Sequence, residues 1–107
     1  MKVYQLINQH ITAIRQLREL GEDLKAAERV LQEFLEGVMP VGTEVGFTSI
    51  YARLYLAWGP YAVAVDLMGD EFVVCPGRKG DACKFDLDDP DLPEVKRIYT
   101  KALMREV

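Results

Sequence analysis

Apolar residues fall at spacings of three and four through the first 38 positions. Val3, Ile7, Ile11, Ile14 and Leu17 form one series, and Leu24, Ala27, Leu31, Phe34 and Val38 a second, with charges between them. That is the period of an α-helix that buries one face. Gly21 stands where the first helix would stop, and Glu22 and Asp23 supply the carboxylates that favour a helix start. The pattern predicts two antiparallel helices joined by a tight turn. One long helix over the same stretch is the competing reading. The apolar phase continues almost unbroken across Gly21, and a glycine inside a helix costs only about 1 kcal/mol relative to alanine.

The segment GVMPVGTEVG, residues 37–46, holds three glycines and a proline and reads as a loop. After it the period becomes two. FTSIYARLYLAW (47–58), YAVAVDLM (61–68), EFVVC (71–75) and CKFDL (83–87) are the strand candidates. Gly59-Pro60 and Gly69-Asp70 separate the first three, and a leading glycine suits a two-residue type II′ hairpin turn.

Those turns dictate a register. Closure at Gly59-Pro60 sets Trp58 opposite Tyr61, Leu56 opposite Val63 and Leu54 opposite Val65. The other face then pairs Tyr55 with Ala64 and Arg53 with Asp66. Closure at Gly69-Asp70 sets Leu67 opposite Phe72 and Val65 opposite Val74. One face is thus large and apolar, and an opposite-charge pair meets on the other, as cross-strand pairing prefers.

The chain finishes with a helical stripe, Leu92, Val95, Ile98, Tyr99, Ala102 and Leu103, expected over 91–106. Asp91, with Glu94 three residues on and Pro93 between them, reads as a capping box. The element order is ααββββα. The predicted class is α+β: a two-layer domain over 1–107, with a four-stranded antiparallel meander across 47–87 and helices packed on one face.

Composition adds limits. The chain has 107 residues, half of them hydrophobic and 28% charged, which suits one ordinary domain with its own core. A net charge of −4 argues against nucleic acid, which requires a basic surface. The N-terminus lacks the apolar stretch of a signal peptide, and no run reaches the roughly 18 apolar residues of a membrane span. The expected location is the cytosol, where disulfides are rare.

Both cysteines lie in CPGRKGDAC, residues 75–83. By strand parity Cys75 faces away from the helices and Cys83 toward them, a geometry that does not permit a disulfide. Zinc wants about four ligands, and beyond these two there is only His10, far off in sequence. Arg78 and Lys79 would favour a thiolate at Cys75, but no activating base is evident. PGRKG lacks the lysine-serine ending of a phosphate loop. The expectation is an exposed basic hairpin tip.

Other charged features have structural explanations. His10 borders the apolar stripe of the first helix. The carboxylates Asp86, Asp88, Asp89, Asp91 and Glu94 miss the calcium-loop spacing and suit a helix start. Lys96, Arg97, Lys101 and Arg105 form a basic strip on the last helix, a solvated face or a secondary contact surface for an acidic partner. No metal or cofactor is expected.

The outward sheet face stands out. It is expected to carry Tyr51, Arg53, Tyr55, Ala57, Ala62, Ala64, Asp66 and Met68, with Val73 and Cys75 beside them. Tyrosine, arginine and methionine are enriched at protein interfaces. Either a partner covers this face, or the chain's own helix or 39–46 loop does. The functional expectation is a small protein-binding module of the inhibitor, immunity or adaptor type, using Tyr51, Arg53, Tyr55, Asp66 and Met68 to bind another protein or to form a homodimer. A small enzyme using Cys75, with His10 and the aspartates of 86–91, is one alternative. A small-ligand domain with a pocket near Trp58 is the other.

Overall fold

Gly21 ends the first helix by taking a backbone conformation that other residues resist. The structure is a computed structural model that describes residues 1–47, 53–79 and 89–107. In it Gly21 has φ +74°. The Gly21 amide donates to the Arg18 carbonyl at 3.0 Å and the Glu22 amide to the Leu17 carbonyl at 3.0 Å. This pair of bonds is a Schellman motif. The N-terminal segment is therefore two helices, α1 (Val3–Glu19) and α2 (Lys25–Val38), and not one. Asp23 opens α2 by accepting the Lys25 amide at 3.0 Å.

Antiparallel strands β1 (Glu44–Phe47), β2 (Arg53–Trp58), β3 (Tyr61–Met68) and β4 (Glu71–Arg78) pair in chain order, and α3 (Asp91–Leu103) follows. The class is α+β, with order ααββββα and the helices packed against the sheet. Gly59 has φ +57° and Gly69 has φ +66°. Pro60 cannot take a positive φ, so the Gly59-Pro60 turn is type II′ and not I′. Every expected pair forms: Trp58 with Tyr61, Leu56 with Val63, Leu54 with Val65, Tyr55 with Ala64, Arg53 with Asp66, Leu67 with Phe72, and Val65 with Val74.

Two strand boundaries differ from expectation. Glu44–Phe47 lies mostly within the segment read as a loop, yet it pairs with Leu54–Ala57. Gly46 weakens a strand signal in sequence, but here it pairs opposite Tyr55. Of the long candidate 47–58, Phe47 belongs to β1 and Arg53–Trp58 form β2. The strand expected at 83–87, with Cys83, Asp86 and Asp88, and the site candidate Tyr51 lie outside the described residues.

The second difference is β4, which continues through Pro76 and Gly77 to Arg78. Arg78 is a strand residue, not part of a flexible tip. Counting from the turn, Pro76 falls at a non-hydrogen-bonded pair with Val63, so its missing N–H costs the ladder nothing.

The inward face and the helices share one core. Val3, Ile7, Ile11 and Ile14 of α1 meet Leu31 and Leu35 of α2, the strand residues Leu54, Leu56, Val63, Val65, Leu67 and Val74, and Val95, Tyr99 and Leu103 of α3. Leu24, Ala27, Phe34 and Val38 flank the buried Leu31–Leu35 seam. Tyr4 packs on Phe72 with ring centroids 4.9 Å apart, and its hydroxyl donates to the Asp70 carbonyl at 3.1 Å, holding α1 to the β3–β4 turn. The chain ends meet as well: the Val3 amide donates to the Arg105 carbonyl and the Val107 amide to the Met1 carbonyl.

Two glycines of opposite character test this description. Gly21→Ala puts a Cβ at positive φ and is expected to lower stability by about 1 kcal/mol. Gly37 lies inside α2, at no positive φ and with open space at its Cβ position, so Gly37→Ala should raise stability by roughly 0.5–1 kcal/mol. Urea denaturation midpoints moving in opposite directions would bear this out; equal movement would contradict the helix break at Gly21.

Candidate functional site

The register that buries Leu54 and Val65 also decides what the sheet shows on its other side. The outward rows are Gly46–Tyr55–Ala64–Cys75, Arg53–Asp66–Val73, Glu44–Ala57–Ala62–Gly77 and Met68–Glu71. Tyr55, Met68 and Val73 are 46%, 54% and 40% exposed. Ala62 is exposed, and Ala57, Ala64, Asp66 and Cys75 are half-buried. Tyr55, Met68, Val73 and Ala62 are thus open to solvent, and among the described residues the 39–46 segment does not cover these side chains. Its β1 part runs in the sheet instead. Small residues lower the surface on either side of Tyr55, with Gly46 opposite it in β1 and Ala64 in β3. Of the expected contact residues, Tyr55, Asp66 and Met68 lie here, and Arg53 occupies the position opposite Asp66.

Cys75 is a free, half-buried thiol opposite Ala64 on this face. His10 is on the other side of the sheet. It belongs to the helix layer, where its ring lies 5.9 Å from that of Phe34. The sheet separates the two groups that an enzyme built on Cys75 would need together. Among the described residues, no group of three or more His, Cys, Asp and Glu side chains is placed to hold a metal ion.

The acidic segment before α3 has a structural task that the sequence assigned to the wrong residue. Asp89, not Asp91, opens the helix: its Oδ1 accepts the Asp91 amide at 3.0 Å, and its Oδ2 accepts from Arg78 Nε. Glu94 does not close a capping box; it pairs with Arg97 three residues on. Asp89 is nearly buried, and the Arg78 guanidinium also lies 5.5 Å from the centre of the Tyr61 ring. The hydrogen bond from Arg78, then that from the Asp91 amide, hold the Asp89 carboxyl below the ordinary aspartate value. Asp89 therefore ties α3 to β4 while capping it.

Trp58, near which the small-ligand alternative sets its pocket, has structural contacts. Its Nε1 donates to the Val41 carbonyl at 3.1 Å, and it meets Tyr99 edge-on with centroids 5.6 Å apart. Tyr99 is fully buried, which raises its phenol pKa. Its hydroxyl lies 2.8 Å from Thr43 Oγ1, which in turn donates to the Pro40 carbonyl at 2.7 Å. This corner clamps the 40–43 loop between sheet and helix.

The last helix stops at Leu103, short of the expected 106, so Lys96, Arg97 and Lys101 lie on α3 and Arg105 beyond it, and all four are exposed. Arg97 is paired with Glu94. The strip is thus less positive than its sequence suggests. Among the described residues no helix is long and apolar enough to cross a membrane. No protein-family model, curated protein or solved structure matches this chain.

Two substitutions probe these anchors. A carboxylate with a lowered folded pKa contributes stability above its unfolded pKa and loses it as pH falls through the folded value. Asp89→Asn should therefore lower the denaturation midpoint near neutral pH. The gap from the parent should hold to about pH 5 and narrow below the ordinary aspartate value of 3.8. A gap independent of pH would assign the effect to packing. Tyr99→Phe keeps the ring and removes the bond to Thr43, and is expected to cost about 1 kcal/mol in urea denaturation.

Proposed function

We propose that this chain is a small protein-binding module of the cytosol. It acts by occupying a partner's surface, as inhibitor, immunity and adaptor proteins do, and it docks through the outward face of its sheet. The observation that supports this reading is the exposure of Tyr55, Met68 and Val73 on that face among the described residues. An antiparallel sheet facing water usually alternates apolar with clearly polar residues. Here, besides Glu44, Glu71 and the facing Arg53 and Asp66, the outward positions are Tyr55, Met68, Val73, Cys75, three alanines and two glycines.

The physical basis is ordinary interface chemistry. Tyrosine offers a large rigid surface at low entropic cost, and methionine adapts to an irregular one. The alanines keep the floor between them low, so a partner backbone or side chain can approach closely. The anchored hairpins behind the face hold it in shape before contact, which lowers the cost of ordering on binding. The free thiol of Cys75 accords with a reducing compartment. Docking on this face would cover that thiol.

The test is affinity capture from the native host, comparing the parent chain with Tyr55→Asp and Met68→Asp, with the mass of the pure protein read by light scattering. Tyr55→Asp should weaken association by roughly 30-fold, the equivalent of about 2 kcal/mol. Its urea midpoint should stay within about 0.5 kcal/mol of the parent, as for other surface changes. Lys96→Glu with Lys101→Glu on α3 should leave association unchanged. A doubled mass that Tyr55→Asp returns to a single chain identifies the partner as a second copy. Association lost in the α3 variant and kept in both sheet variants would refute the proposal.

A further inference from the structure

We draw no further inference here: the strongest candidate outside the outward sheet face, the corner where Trp58, Tyr61 and Arg78 meet beside the solvent-exposed Val41, is already accounted for by its work of holding α3 and the 40–43 loop to the sheet, and nothing in the structure shows what would cover it.

Discussion

Two tight turns, each led by a glycine at positive φ, couple the inside of this protein to its outside. Gly59 and Gly69 close successive hairpins with two residues each, which leaves no slack in how β2, β3 and β4 pair. Side chains alternate along each strand, so placing Leu54, Leu56, Val63, Val65 and Val74 against the helices necessarily turns Tyr55, Ala64 and Cys75 away from them. A slip of one residue would send Asp66 under the helices and Leu54 into water. Burying a charge without a designed partner is far more costly than the turn strain that a slip could relieve. The core and the candidate docking face are thus two sides of one choice.

The parts of the fold readable from sequence are those set by local chemistry. Glycine-led dipeptides between alternating segments specify turn type, turn type specifies register, and register specifies faces. The three helical stripes are local too, and Val3, Ile7, Ile11, Ile14, Val95, Tyr99 and Leu103 are buried as their spacing requires. What the sequence hid depends on partners distant along the chain. Glu44–Phe47 carries a glycine and follows a proline, and only pairing with β2 makes it a strand. Pro76 and Gly77 signal a loop until β3 is seen beside them. The Schellman bonds at Gly21 decide between one helix and two, a choice that apolar phase alone left open.

Asp89 shows the same limit at the level of a single side chain. Asp91 and Glu94 have capping-box spacing, and the local rule favours them. The competing interaction is Arg78, which β4 delivers to the same place and which pairs most closely with Asp89. One nearly buried carboxylate then satisfies both a helix amide and a guanidinium. Among the described residues no buried side-chain polar atom is left without a partner. Glu94 is free to bind Arg97 instead, which is why part of the basic strip on α3 is neutralised.

These assignments bear on where a partner would sit. A surface feature carries functional weight when the fold does not already account for it. The basic strip fails that standard, since Arg97 has a carboxylate of its own and Lys101 stands in the last turn of α3, where the dipole favours a cation. The aromatic corner fails it as well, because Trp58, Tyr61 and Tyr99 clamp the loop and helix that meet there. The outward sheet face is different. Parity fixes which positions point outward, but it does not fix what occupies them, and threonine, lysine or glutamate at 55, 68 and 73 would serve the fold at least as well while keeping the surface soluble. Tyr55 in particular, with glycine on one side and alanine on the other, buries less than a core tyrosine such as Tyr99 and contributes correspondingly less to the fold. An association that draws on this ring, and on the low ground beside it, is the use that its placement best explains.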